Sequence, residues 1–494
     1  MPRPTNPPDH PEKQRLPNII LFIPDQWRGK DAGCLGNPVI RTPHTDLLAE
    51  EGLAFANCFA QSTVCTPSRC SFMTGWYPHI RGHRTMHHML SPDEPFLLKQ
   101  LKDQGYYVWW GGKNDVVRVE EEESVCSLRF RPGHSTEADL KPPALNPGHR
   151  LFYSHYRGKI GDQPIWSGDD ALVDGAVRFL ENTPPEPFCI CLTLHDPHVP
   201  FQVDEPYFSM YDRSGLPPII PRPEDGTKSR HMTLIRERMN LHALGEDDMR
   251  EILAVYYGMI TRTDAALGRL MTALKASGHW DDSAVFVFSD HGEYAGDYHM
   301  VEKSQNGFED DLTKVPLIVK YPSWIPVAER KQPVAELVEL IDVYATVAEL
   351  ARLKQRHTHF GRSLIPVSTG QAEQHREQVF CEGGALVSEP HTHEPPVNRE
   401  RVYWPRLSAQ NDDRESHGKG VMVRTKEWKF VKRLYEGDEL YDLVADSDEL
   451  RNLAGDPQYA SIRNDILNRI ALWYMETADV VPYEPVMHKL EGRL

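Results

Sequence analysis

The segment Asn18-Ile-Ile-Leu-Phe-Ile-Pro-Asp-Gln26 carries the clearest information about the fold. Its apolar residues follow one another without polar alternation, which is typical of a strand buried on both faces of a parallel sheet. Helical patterns lie between four later runs of the same character, residues 106–110, 189–194, 284–288 and 316–320. The sequence therefore predicts an α/β fold with a large, mainly parallel sheet flanked by helices.

The last part of the chain has a different texture. Short strand patterns at 421–424, 428–431 and 439–441 precede a helical pattern over 459–477, which predicts a smaller antiparallel sheet with a C-terminal helix. We accordingly divide the chain into a polar N-terminal tail (1–17), a main domain (18–383), an irregular insertion loop (384–419) and a C-terminal subdomain (420–494).

Composition and charge limit the classes of function. The 494 residues are 40% hydrophobic and carry a net charge of −17, and an acidic surface disfavours nucleic acid and anionic membranes as partners. Residues 1–17 contain no apolar signal segment, and no apolar run is long enough to span a membrane. Eight irregularly spaced cysteines then predict reduced thiols, and the cytoplasm is the expected location.

The segment Cys65-Thr-Pro-Ser-Arg69 is the most specific chemical signal. Pro67 suits the first turn of a helix, which places Cys65 at a helix N-terminus, where backbone N–H groups favour negative charge. Arg69 lies one turn further on and can face the same anion. We therefore expect a thiol with a lowered pKa; the alternative is a buried structural thiol in front of a helix.

Polar side chains follow two of the predicted strands. Asp25 and Gln26 come after the first strand, and Asp290 and His291 come after the run at 284–288. Open α/β sheets bind ligands at the carboxyl ends of their strands. Two carboxylates, an amide oxygen and an imidazole nitrogen form a plausible ligand set for a divalent metal, although each pair alone is more typical of a turn at a strand end.

Taken together, these motifs resemble the signature of the type I, formylglycine-dependent sulfatases of the alkaline phosphatase-like superfamily. The segment 65–69 continues into Ser71-Phe-Met-Thr-Gly-Trp-Tyr-Pro-His79, and 42–52 is similar to the helix that precedes the signature in that family. Other blocks that resemble the family are Gly112-Lys113, His195-Asp-Pro-His198, Asp290-His291-Gly292, Lys303 and the segment 439–453.

The resemblance implies a cofactor and a metal. In this family the cysteine of the signature is oxidised to formylglycine, and the hydrated aldehyde attacks the sulfur atom of a sulfate ester. A formylglycine-generating maturation enzyme is therefore an expected partner, and a saccharide or small organic sulfate ester is the expected substrate. The ligands of the one divalent metal would be Asp25, Gln26, Asp290, His291 and the formylglycine made from Cys65.

The resemblance also implies roles for the basic residues. Fixed cations around the sulfate oxygens stabilise the charge of the transition state in a dry site, and a histidine can protonate the leaving alcohol. The cations would be Arg69, Lys113 and Lys303, and the general acid would be His198.

Three positions depart from the most frequent family pattern. Gln26 and His291 stand where many sulfatases carry Asp and Asn, so the protein ligands bring two negative charges and one nitrogen donor. That set makes Mn²⁺ a rival of Ca²⁺. Asp115 stands near the position of a family histidine; it either serves as the base that releases sulfate or plays no part.

Two other functions compete with sulfate ester hydrolysis. Phosphonate monoester hydrolases and phosphodiesterases of the same superfamily use the same formylglycine, and the Asp-Gln and Asp-His ligand pairs also resemble theirs. A non-catalytic binding protein, in which Cys65 stays unconverted, is the second alternative. Sulfate ester hydrolysis is the reading that the motifs favour over both.

Overall fold

The computed structural model describes residues 15–132, 145–330 and 332–483. Of the predicted N-terminal tail, all but residues 15–17 lie outside this part, and so do the last residues of the predicted C-terminal subdomain. The strands are β1 Asn18–Ile23, β2 Leu53–Phe59, β3 Tyr107–Gly112, β4 Leu128–Phe130, β5 Tyr156–Lys159, β6 Phe188–Thr193, β7 Phe201–Val203, β8 Ser283–Phe288, β9 Lys314–Val315, β10 Leu317–Lys320, β11 Val334–Glu339, β12 Val379–Gly383, β13 Gly420–Arg424, β14 Trp428–Arg433 and β15 Glu439–Asp442. The α-helices are α1 Pro43–Glu51, α2 Cys65–Thr74, α3 Leu97–Asp103, α4 Glu122–Val125, α5 Gly168–Glu181, α6 Arg230–Arg238, α7 Glu246–Ala276, α8 Asp310–Thr313, α9 Ile341–Leu350, α10 Ile365–Ser368, α11 Trp404–Asp412 and α12 Ala460–Thr477.

The large sheet has the strand order β11-β2-β10-β8-β1-β6-β3-β4, with β9 paired to β2. The strands from β8 to β4 are all parallel, whereas β10 runs antiparallel to both β8 and β2. The prediction of a large, mainly parallel sheet is therefore confirmed.

The central strand β1 is buried on both faces, as its unbroken apolar sequence predicts. Ile19, Leu21 and Ile23 belong to one core, which also contains apolar residues of α2, α3 and α9. Ile20 and Phe22 belong to a second core, together with apolar residues of α1, α5 and α7. Since side chains alternate along a strand, β1 fills both helix–sheet interfaces at once.

The C-terminal part forms the predicted small antiparallel sheet with a helix. Its strand order is β12-β13-β14-β15, and Trp473 of α12 stacks on Phe380 of β12 with ring centroids 4.5 Å apart. The first strand, Val379–Gly383, precedes the predicted boundary at residue 384. The segment 384–419 contains helix α11 and is therefore less irregular than expected. The division into four parts remains a prediction.

Two findings bear on the chemical environment of the chain. All eight cysteines are free thiols, as predicted. Among the described residues, no helix combines the length and the apolar character that a membrane crossing requires.

Candidate active site

The candidate site lies where β1, β8 and the N-terminus of α2 meet. Asp25 follows β1, Asp290 follows β8, and Cys65 is the first residue of α2. Because β1 and β8 are parallel neighbours, their carboxyl ends share one edge of the sheet, which is where open α/β sheets bind ligands.

Four of the predicted metal ligands converge there. One ligand atom from each of Asp25, Cys65, Asp290 and His291 lies within 4.8 Å of all the others, and all four residues are buried. Burial opposes the ionisation of Asp25, but neighbouring cations, with Lys113 first among them, hold the pKa of this carboxyl well below its ordinary value. Two carboxylates and an imidazole inside a buried cluster suit a divalent cation.

Gln26, the fifth predicted ligand, has an unusual backbone conformation. Its φ of +70° lies in the left-handed region, which costs of the order of 1–3 kcal/mol for a residue with a side chain. Buried hydrogen bonds hold it: the backbone N–H donates to Asp290 Oδ1 (3.1 Å), and the carbonyl accepts from Tyr256 (2.6 Å). The side-chain oxygen Oε1 accepts from Lys303 Nζ (2.5 Å).

Cys65 contacts both the ligand cluster and a lysine. Its Sγ lies 3.2 Å from His291 Nε2, 3.7 Å from Asp25 Oδ1 and 3.2 Å from Lys113 Nζ. Complete burial, and then the negative charge of Asp25, raise the pKa of the thiol to about 12. The prediction of a lowered thiol pKa was therefore wrong, because burial beside two carboxylates outweighs the nearby lysines. An unmodified Cys65 would be a neutral thiol.

Arg69 and Lys113 neutralise the carboxylates of the cluster. Arg69 Nε donates to Asp290 Oδ2 (2.8 Å), and its Nη2 donates to Asp25 Oδ2 (3.0 Å). Lys113 Nζ donates to the same Asp25 oxygen (2.6 Å) and lies 3.0 Å from Asp115 Oδ2. Asp115 thus reaches the edge of the site through Lys113.

Lys303 joins Gln26 to His198. Its Nζ lies 2.8 Å from His198 Nε2, and His198 Nδ1 lies 2.7 Å from the backbone oxygen of Val199. Since an ammonium group only donates and a carbonyl only accepts, His198 carries its proton on Nδ1 and accepts at Nε2. Burial, and then the charge of Lys303, hold the pKa of His198 well below its ordinary value, so the ring is neutral.

The sequence analysis missed two buried acids beside these residues. Glu293 accepts hydrogen bonds from the side-chain amide of Gln26 and from the backbone N–H groups of Ala295 and Glu302. Glu302 Oε1 lies 3.2 Å from Lys303 Nζ. Glu293 belongs to the run Asp-His-Gly-Glu, so the sequence alone shows that it lies near Asp290. Its contact with Gln26 depends on the fold.

The segment 384–419 also reaches towards the site, which its composition alone did not establish. Arg406 Nη1 lies 3.9 Å from Glu302 Oε1, and Arg406 Nη2 pairs with Glu394 (3.0 Å). The guanidinium lies 5.1 Å from the ring centroid of Tyr403. Arg406 therefore lies near Lys303, with Glu302 between them, and Glu394 balances the charge of Arg406.

Comparisons with known proteins identify the family. The model of the Sulfatase family matches residues 17–353. A multifunctional alkaline phosphatase superfamily protein of Trinickia caryophylli is 26% identical over 94% of this chain and 96% of its own length. Arylsulfatase K of Danio rerio is 26% identical over 91% of this chain and 82% of its own length.

A solved structure shares the fold. The phosphonate monoester hydrolase of Agrobacterium radiobacter superposes with a TM-score of 0.74 at 22% identity, covering 95% of this chain and 100% of that protein. The alternative of a non-catalytic binding protein is set aside by the family match together with the convergence of the buried cluster. The chain belongs to the sulfatase family and is a sulfuric ester hydrolase.

Proposed function

We propose that the enzyme cleaves the sulfate ester of a saccharide or a small organic molecule, using a formylglycine that a maturation enzyme makes from Cys65. The observation that carries the proposal is the position of Cys65. Its side chain lies within 3.7 Å of Asp25 and within 3.2 Å of both His291 and Lys113. The side chain at position 65 thus touches metal ligands and a cation at the same time.

Asp25, Gln26, Asp290 and His291 are the proposed protein ligands of one divalent metal. When bound, the metal orients the ester and makes a hydroxyl of hydrated formylglycine more nucleophilic, and the second hydroxyl provides the route by which sulfate leaves. The buried set of two carboxylates, an amide oxygen and an imidazole suits Ca²⁺ or Mn²⁺. Because one of the donors is a nitrogen atom, Mn²⁺ is a candidate as well as Ca²⁺.

The lysines supply the remaining positive charge. Lys113 and Lys303 each contact a proposed metal ligand, Asp25 and Gln26 respectively. Two N–H groups of Arg69 donate hydrogen bonds to Asp25 and Asp290, so Arg69 also fixes the geometry of these carboxylates. Fixed cations in a buried site stabilise the charge that develops on the sulfate oxygens.

His198 is the proposed general acid, and Lys303 is the cation beside it. In the present arrangement His198 Nε2 accepts from the Lys303 ammonium group at 2.8 Å, so His198 would act as the acid once Nε2 carries a proton and faces the leaving oxygen. General acid catalysis matters most when the leaving alcohol is a poor leaving group. Asp115 is a second candidate for the proton steps, as the base that assists the release of sulfate, because it contacts Lys113.

Hydrolysis of phosphonate monoesters or phosphodiesters is the second candidate function. The relative from Trinickia caryophylli supports this candidate, because that protein is named a multifunctional member of the alkaline phosphatase superfamily. An unpaired extra cation in the site would favour phosphate monoesters. Arg406 is not such a cation, because Glu394 already pairs with it. This observation disfavours phosphate monoesters, whereas phosphodiesters and phosphonate monoesters carry one negative charge, as sulfate esters do.

The two candidates are separated by kcat/KM for 4-nitrophenyl sulfate, a 4-nitrophenyl phosphonate and a 4-nitrophenyl phosphodiester. The measurement uses protein whose position 65 has been confirmed by mass to be formylglycine. We expect the sulfate ester to give the highest value. A higher value for either phosphorus ester would leave the nucleophile and the metal ligands in place and would contradict sulfate ester hydrolysis as the main activity.

A further inference from the structure

The Gln26 side chain is held in one orientation by partners of opposite hydrogen-bonding character. Lys303 Nζ, which can only donate, contacts Gln26 Oε1 at 2.5 Å. The Glu293 carboxylate, which accepts, contacts Gln26 Nε2. A flipped amide would set donor against donor at Lys303 and acceptor against acceptor at Glu293. The oxygen of Gln26 therefore points to the catalytic lysine and its amino group points away.

Glu293 is itself held firmly. Its Oε1 accepts from the backbone N–H groups of Ala295 (2.9 Å) and Glu302 (2.7 Å), which leaves Oε2 for Gln26. The Glu293 side chain is fully buried. Because both backbone donors lie on one side of the carboxylate, it has a single orientation to offer to Gln26.

We propose that Glu293 is the positioning residue of the metal site, and that it selects an amide oxygen in place of a carboxylate at position 26. This inference rests on the proposed role of Gln26 as a metal ligand. A carboxylate at 26 would face the Glu293 carboxylate at hydrogen-bond distance, and two buried like charges in contact repel each other. Glu293 thus places a hydrogen-bond acceptor behind the side-chain amide of Gln26.

Substitution of Glu293 by Gln has a predictable consequence. The two backbone donors retain the single oxygen of the new side chain, so its amino group faces Gln26. Gln26 must then turn its oxygen towards residue 293 and its amino group towards Lys303. Loss of a side chain that orients a metal ligand typically lowers metal affinity about 10–100-fold.

The test compares the Mn²⁺ dissociation constant of metal-stripped wild type, Glu293→Gln, Gln26→Glu and the double variant Gln26→Glu/Glu293→Gln, with free Mn²⁺ followed by its EPR signal. We expect Glu293→Gln to bind about 10–100-fold more weakly, and the double variant to bind at least as tightly as the wild type, because the amide of residue 293 then donates to a carboxylate at 26. Glu382→Gln, which changes another buried carboxyl that contacts His79, is the matched control and should bind as the wild type does.

Each outcome has one meaning. Wild-type affinity in Glu293→Gln, or a double variant no tighter than Glu293→Gln, would overturn the positioning role. A wild type that binds neither Mn²⁺ nor Ca²⁺ would instead overturn the proposed metal site, and with it the inference built on it. Circular dichroism of each variant separates lost binding from lost folding.

Discussion

At the scale of single residues, the proposed mechanism makes turnover of the enzyme depend on Cys65. Cys65→Ser keeps a small polar side chain at the first position of α2, next to Lys113 and His291. The usual aerobic maturation enzyme is not expected to convert serine to the aldehyde. We therefore expect kcat to fall by about a thousandfold or more, with a melting temperature within about 3 °C of the wild type. Substantial turnover in this variant would contradict the covalent mechanism.

His198 gives a second residue-scale prediction, which concerns the leaving group. If His198 is the general acid that protonates the leaving oxygen, His198→Ala should lower kcat/KM for alkyl or sugar sulfates about 10²–10⁴-fold. 4-Nitrophenyl sulfate should lose much less, because nitrophenolate leaves without protonation. Equal losses on both substrates would mean that His198 acts by binding and not as the acid.

The sequence predicted which residues lie together at the site better than it predicted their pKa values and hydrogen-bond partners. The positions of Asp25, Asp290 and Cys65 follow from strand ends and a helix start, which are local patterns. The pKa of Cys65 does not, because it depends on burial and on carboxylates brought in by two distant strands. The same holds for the contact between Gln26 and Glu293, which joins residues far apart in the chain.

At the scale of elements, helix α2 presents Cys65 and ends at Gly75. Gly75 has φ +73°, and a Cβ there would lie 2.8 Å from His359 Cβ and 2.9 Å from Tyr344 Cδ1. Gly75→Ala should therefore cost about 2–4 kcal/mol, the sum of the left-handed strain and of overpacking. Urea denaturation measures the change.

Gly278 provides the matched control, since it follows the end of α7 with φ +78° and a Cβ there would meet nothing within 4 Å. Gly278→Ala should cost about 1–2 kcal/mol from backbone strain alone. Equal costs at both glycines would mean that packing around the end of α2 adds nothing to stability.

The elements that were not predicted from the sequence lack a clear hydrophobic pattern of their own. Strand β2 pairs with three strands of the large sheet, although its sequence, Leu-Ala-Phe-Ala-Asn-Cys-Phe, suits helix and strand about equally. Helix α11 lies in a segment rich in proline and charge and packs against α6. In both cases tertiary contacts decide the conformation, and short local patterns do not report them.

At the scale of the whole molecule, an ion-pair cluster joins the small sheet to the loop that bears two of the proposed metal ligands. Lys429 of β14 is fully buried and contacts Asp310 (2.5 Å) and Glu449 (2.7 Å). Asp310 begins α8, whose next residues pair with the backbone of Gly292 and Glu293. The small sheet therefore supports the site through this loop.

Removing the Lys429 charge tests this connection. Lys429→Met keeps most of the side-chain volume but leaves the buried Glu449 without its ion-pair partner, whereas Asp310 keeps Arg424 (3.3 Å). The change should cost about 3–5 kcal/mol in urea denaturation. The exposed pair of Lys426 and Glu336 (2.7 Å) is the control, and Lys426→Met should cost less than about 1 kcal/mol. Similar small losses in both variants would show that the two sheets do not depend on this cluster.

The most direct test of the central claim is to measure the mass of the peptide containing residue 65 together with the turnover of 4-nitrophenyl sulfate in the same samples. Protein made with different amounts of the maturation enzyme gives samples with different converted fractions. We expect turnover per molecule to rise in proportion to the fraction in which Cys65 has become formylglycine, and to vanish where the thiol is retained. Full turnover in protein whose residue 65 remains cysteine would contradict the account.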